Sequence, residues 1–254
     1  MAIDKNSNAF TFGFAIAMVV VVGATLSFAA ISLKPRQQAN NIEKDMISIL
    51  SSIGVEATRA NASEKFYSNI TKRVTLNADG DVVQTRDGKI DPNDKKDPFN
   101  VDVKKEYRST DLKPEDRRYP LYFAQKDGQE VVVVPMVGKG LWGPIWGYVA
   151  LESDYNTVYG ATFDHKTETP GLGAEIKEDF FENPFRGKKI YDESGNLVSI
   201  DVKKGGADPG NEHAVDGITG GTITSNGVDE MLERTFGVYD NYFSTTKTNL
   251  SQIQ

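Results

Sequence analysis

Residues 216–228 read Asp-Gly-Ile-Thr-Gly-Gly-Thr-Ile-Thr-Ser-Asn-Gly-Val, a glycine pair flanked by hydroxyl side chains that runs straight into a helical pattern. The first turn of a helix carries N–H groups without intrahelical acceptors and a partial positive charge, so it is a seat for phosphate. Ser225 or Asn226 would serve as N-cap, with Val228, Met231, Leu232 and Phe236 following at helical spacing. No Gly-Lys-Ser/Thr follows, so this is not a Walker loop. No G-x-G-x-x-G precedes the helix, so it is not a dinucleotide fingerprint. The residues alone reach a phosphate-bearing ligand; a capped helix after a Gly-rich turn is the plain alternative.

Upstream the chain is rich in strand signals. Tyr119–Ala124 and Glu130–Val137 read as strands joined at Lys126-Asp127-Gly128, and the four consecutive valines 131–134 suit a strand buried on both faces. Ile145–Leu151 and Thr157–Phe163 are two more strands, and Glu178–Phe185 a short helix. Lys188–Lys203 reads as a hairpin turning at Ser194-Gly195-Asn196. A helix is expected from Ala62 to Lys72, with Phe66 and Ile70 on one face. Between Asp79 and Asp116 the turn-rich chain predicts hairpin pieces and a surface loop, and Asp91, Asn93 and Asp94 lack EF-hand spacing. Strands in series with helices at the ends predict an α+β domain with a mixed or antiparallel sheet, not a doubly wound one.

At the N-terminus, Ala9–Leu33 contains 25 residues without a charge. A helix of that length rises roughly 37 Å at about 1.5 Å per residue, enough to span a bilayer. Ser27-Phe28-Ala29 could pass for a signal cleavage site, but the apolar run exceeds the roughly 7–15 residues of a signal h-region, which favours a retained anchor. The expected organisation is a tail at 1–8, a transmembrane helix at 9–33, a connecting helix at 34–60 and an α+β domain at 61–254. The connecting helix rests on Ile42, Met46, Ile49, Leu50 and Ile53, with Gly54 as a stop. Lys34 and Arg36 after the span outweigh Lys5 before it only slightly, so charge leaves the orientation open.

Composition removes several chemistries. The net charge is −7, from 29 Lys+Arg against 36 Asp+Glu, without the basic stripe that nucleic-acid binding requires. The 254 residues include no Cys, which excludes thiolate clusters and Cys nucleophiles, and only two His, which argues against a multi-His metal site. An organic cofactor such as a flavin fits these limits.

Two further stretches concentrate loop residues. Residues 138–148 carry both tryptophans, Trp142 and Trp146, among glycines that let a backbone approach a flat ligand; packing in a core is the other reading. His165-Lys166-Thr167-Glu168-Thr169-Pro170-Gly171-Leu172-Gly173 places a turn after a strand, with Glu168 and Thr169 able to hydrogen-bond a heterocycle. His165 invites a general-base role, but a satisfied polar His at a strand end is preferred because no nucleophile lies nearby in sequence.

Asp216-x-x-Thr219-Gly220-Gly221-Thr222 resembles the covalent flavinylation motif Asp-x-x-Ser/Thr-Gly-Ala/Gly-Thr. With the tryptophan loop and the Thr-Glu-Thr-Pro-Gly-Leu-Gly segment, the chain is similar to the covalent FMN-binding family found in sodium-translocating NADH:quinone oxidoreductase. The related flavin protein of the Rnf-type ion-translocating complex shares the motif and stays as an alternative, as does an anchored non-redox binding domain. Gly221 departs from the more usual Ala. The resemblance implies FMN joined by a phosphodiester to Thr222, with Asp216, Thr219, Gly220, Gly221 and Ile223 around the phosphate and ribityl chain. It implies Glu168, Thr169, Leu172 and Gly173 along the isoalloxazine, with Trp142 and Trp146 as walls. It also implies a flavin transferase that uses FAD and a divalent metal, partner subunits carrying other redox centres, and no NADH site on this chain. Electrons would pass from NADH to quinone as sodium is pumped. The flavin domain would sit on the periplasmic side of the bacterial inner membrane.

Overall fold

The computed structural model describes residues 7–126 and 128–251. Residues 1–6 of the expected tail and Asp127 of the expected turn lie outside the described residues. The chain divides into two compact units, residues 1–45 and 46–254.

The first unit is the greater part of helix α1, Asn8–Ser52. Its apolar section has a mean hydropathy of 2.5 and is long and apolar enough to cross a membrane. Phe12, Phe14, Ile16, Val19, Leu26, Phe28 and Ile31 are all exposed, so this stretch has no protein core of its own and calls for an apolar surrounding. The separate connecting helix expected at 34–60 is corrected. Pro35 is carried inside one continuous helix, which ends at Ser52, and Gly54 takes the left-handed φ of 68° that closes it.

The second unit is an α+β domain. A six-stranded antiparallel sheet has the order β2-β1-β3-β4-β5-β6, from β1 (Ile70–Leu76), β2 (Val82–Arg86), β3 (Tyr119–Lys126), β4 (Gln129–Lys139), β5 (Pro144–Leu151) and β6 (Val158–His165). The four valines of β4 are buried on both faces, as their run predicts. One face packs against helix α5 (Thr222–Ser251), where Val228, Met231, Leu232, Phe236, Tyr239 and Phe243 meet Leu121, Phe123, Val134, Met136, Ile145 and Val149 in one core. The last turns of α1 contribute Met46, Ile49 and Leu50 to the buried interior, and Thr162 on β6 donates to the Ser48 carbonyl at 3.1 Å.

Strand β1 departs from the sequence expectation of helix through Lys72. Helix α2 (Ala62–Asn69) stops at Asn69, and the polar run Thr71-Lys72-Arg73 continues as strand. Arg73 is only 1% exposed, because Asp97 pairs with it at 2.7 Å and the Gly88 carbonyl accepts a third bond at 3.0 Å. Charge there marks a buried pair rather than a solvent face. The loop that follows β2 also contains a short helix, α3 (Val103–Arg108), before β3.

The hairpin expected over Lys188–Lys203, which follows the short helix α4 (Asp179–Glu182), is likewise corrected. Only Tyr191 and Leu197 pair across the Asp192–Asn196 turn. The amides of Val198 and Ser199 both donate to the Ile190 carbonyl, and Ser199 adopts a φ of 62°, which diverts the chain. Strand β7 (Asp201–Lys203) then pairs in parallel with β8 (Ala214–Asp216), and β8 delivers the glycine-rich turn to the start of α5.

Candidate functional site

Helix α5 starts at Thr222, four residues before the point that the sequence marks for its beginning. Ser225 and Asn226 therefore lie inside the first turn rather than capping it. Ser225 Oγ instead accepts from the Ile218 N–H at 2.9 Å and closes the turn from behind. The Ser225 N–H makes the first helical bond, to the Gly221 carbonyl at 2.9 Å. The N–H groups of Thr222, Ile223 and Thr224 come before any intrahelical acceptor, so the dipole end of a 30-residue helix stands at the glycine pair.

Both glycines are required by close approach. Gly220 has a φ of 78°, and a Cβ there would stand 2.7 Å from Leu172 Cδ2. A Cβ at Gly221 would lie 2.9 Å from Ile218 Cγ2, so this chain's packing suits glycine where alanine is more usual. The pair thus presses the 168–173 loop onto the start of α5.

Glu168 joins the third loop. Its side chain is 5% exposed; Oε1 accepts from the Trp142 N–H at 2.8 Å and Oε2 from the Thr224 hydroxyl at 2.6 Å. Thr167 Oγ1 donates to the Trp142 carbonyl at 3.0 Å. The three stretches singled out in the sequence therefore converge on one cleft of about 230 Å³, lined by Leu141, Trp142, Glu168, Thr169, Leu172 and Gly173 on one side and residues 220–224 on the other. Its apolar rim is unusually open: Trp142 is 65% exposed, and Leu141, Leu172 and Ile223 are exposed beside it. Thr222 lies in the cleft, and its hydroxyl has no hydrogen-bond partner among the described residues.

These features fit FMN. Free helix-start amides suit a phosphate, a nucleophilic oxygen stands at the same end, and a shelf of exposed apolar side chains suits a flat ring.

The comparisons with known proteins agree with this geometry. The FMN-binding domain family matches residues 140–236, which contain the core of all three loops. The NqrC subunit of the Na(+)-translocating NADH-quinone reductase from Vibrio alginolyticus is 33% identical over 237 residues, covering 92% of each chain. The chain belongs to this NqrC family. The family member from Neisseria meningitidis is 30% identical over 92% of both chains. The crystal structure of the Parabacteroides distasonis member superposes with a TM-score of 0.72 at 39% identity, covering 84% of this chain and 97% of that one. Shewanella oneidensis NqrC gives a TM-score of 0.66 at 26% identity, over 82% and 99%. The α+β architecture of this chain is that of its NqrC relatives.

Not every residue expected at the site of this NqrC-family protein reaches the cleft. Trp146 alternates on β5 to the face opposite Ile145 and is not among the residues that line the cleft, whereas Trp142 is. Asp216 ends β8 and accepts from the Ala207 N–H at 2.7 Å, which holds the entrance to the turn. Thr219 lies outside the lining. His165 is half satisfied: Nδ1 accepts from the Glu168 N–H at 3.1 Å, while buried Nε2 has no partner among the described residues. Leu141 and Thr224 line the cleft although the sequence does not single them out; the flanking hydroxyl at 224 is the available signal.

Proposed function

We propose that this NqrC-family chain carries FMN esterified through its phosphate to Thr222 and relays electrons between redox centres on partner subunits of the NADH:quinone reductase. The observation that carries the reading is the Thr222 hydroxyl, unpartnered among the described residues, at the amide-rich start of α5 in an apolar-rimmed cleft. A threonine hydroxyl needs activation to act as a nucleophile, and no base among the described residues bonds to it. Attachment is therefore assigned to a separate flavin transferase. The Thr222 oxygen bonds to the FMN phosphorus of FAD, AMP leaves, and the hydroxyl proton passes to base or solvent.

The bound flavin would supply reversible electron transfer. The chain's own residues do the rest. The N–H groups of Ile223 and Thr224 offset phosphate charge, Gly220 and Gly221 admit the chain, and Leu172 and Trp142 cover the ring. Asp216 and Thr219 are assigned to recognition by the transferase, consistent with their position outside the cleft lining.

The apolar stretch 9–33 is assigned as the single inner-membrane span, with the α+β domain on the periplasmic side. No NADH site is assigned to this chain. Expression with and without a flavin transferase tests the reading. Covalent flavin is expected only with the transferase, and covalent flavin in its absence would contradict it.

A further inference from the structure

Glu168 is expected from the sequence to line the ring, yet both of its carboxylate oxygens are committed elsewhere. One holds the Trp142 N–H at 2.8 Å and the other the Thr224 hydroxyl at 2.6 Å, a short charge-assisted contact. Two glycines leave room for it: a Cβ at Gly140 would stand 2.6 Å from Oε1, and one at Gly173 2.6 Å from Oε2. The Glu168 N–H is itself held by His165 Nδ1 at 3.1 Å. Meanwhile Thr167 Oγ1 takes the Trp142 carbonyl, so the peptide groups on both sides of the most exposed aromatic of the cleft are fixed while its indole projects outward. The Trp142 N–H can only donate, so Oε1 serves as its acceptor and Oε2 is left to the Thr224 hydroxyl.

We propose that Glu168 is the positioning residue of this site: a buried anionic clasp that locks the tryptophan loop to the start of α5 and adds a fixed negative charge to the cleft wall. The charge role rests on the proposed attachment of flavin; the clasp does not. Because reduction adds electron density to the ring, a fixed anion in the wall holds the potential down.

The test uses full-length protein, first without flavin. Hydrogen exchange at the hydrogen-bonded amides of the two loops, Gly140, Trp142 and Ser225, is expected to be slow in wild type and in Glu168→Gln, which keeps an acceptor for Trp142 and a polar group for Thr224. In Glu168→Ala it is expected to be about tenfold faster or more, equivalent to ~1.4 kcal/mol of local protection. Exchange in Glu168→Ala equal to wild type overturns the clasp. Should that variant fail to fold, Thr224→Val removes one arm alone; faster exchange at the Ser225 amide supports the clasp, and no change there overturns it. With transferase present, flavinylated Glu168→Gln is expected to have a raised midpoint potential, and an unchanged potential overturns the charge role. If wild type accepts no flavin, the flavin reading fails, while the exchange result still decides the clasp.

Discussion

The Thr224 hydroxyl meets Glu168 Oε2 at 2.6 Å across 56 residues of chain, and Glu168 Oε1 holds the Trp142 amide from a third loop. One buried side chain thus sets the mutual position of the three loops that make the cleft. Hydrogen bonds to a charged acceptor contribute about 1.5–3 kcal/mol each, so the loops are held more firmly than their exposure suggests.

Gly173 is where the clasp is most crowded. A methyl there would press on Glu168 Oε2 and on the Thr224 hydroxyl, so Gly173→Ala is expected to cost about 1–3 kcal/mol and to lower flavin incorporation. Gly237→Ala, in the interior of α5 with nothing near the added methyl, is expected to stabilise by about 0.5–1 kcal/mol. Thermal unfolding of the two variants beside wild type measures both effects.

Trp142 contributes little to the core. Trp142→Ala is expected to change stability by less than about 0.5 kcal/mol, as for other exposed positions, while altering the visible circular dichroism of the bound flavin. A large loss of stability with an unchanged flavin spectrum would place the indole in the core instead.

The Arg73–Asp97 pair tests the hidden strand. Asp97→Ala leaves a guanidinium buried without its partner and is expected to cost about 3–5 kcal/mol, read as a lowered denaturant midpoint. Replacing both residues with apolar side chains is expected to recover much of that loss.

Glu182 gives the domain a pH dependence. Burial, aided by the nearby charges of Asp179, Asp164 and Glu178, raises its carboxyl from 4.5 to about 8, although the Phe163 N–H donates to it at 2.6 Å. The folded state therefore binds this proton more tightly than the unfolded state. The resulting stability is full below pH 4.5 and is lost as pH rises to about 8. Glu182→Gln is expected to flatten that slope and to be the more stable protein at pH 9, by roughly 2 kcal/mol after allowing for its partial exposure. Chemical denaturation at a series of pH values checks the sign.

The sequence made much of this legible because apolar runs and glycine pairs report local geometry. The valines of β4 and the helical spacing of Val228, Met231, Leu232 and Phe236 each led to the observed element. What stayed hidden depends on partners far along the chain. The stretch up to Lys72 looked helical because Asp97, which lets the neighbouring Arg73 sit buried in a strand, lies 24 residues from it. Residues 201–203 looked like half of a hairpin because their parallel partner begins only at Ala214. At the site, Trp142 lies in the turn before β5 while Trp146 lies within the strand, and adjacency in sequence concealed that. Glu168 showed its residue type but not its role, since the room made by Gly140 and Gly173 appears only when three loops meet.

Attachment of FMN at Thr222 is the central claim, and intact mass spectrometry of the denatured full-length chain, matured with its transferase, tests it most directly. Wild type is expected to retain one FMN-sized increment that maps to the peptide containing Thr222, and Thr222→Ala to lack it. An unmodified wild-type mass, or an increment that persists in Thr222→Ala, would contradict the account.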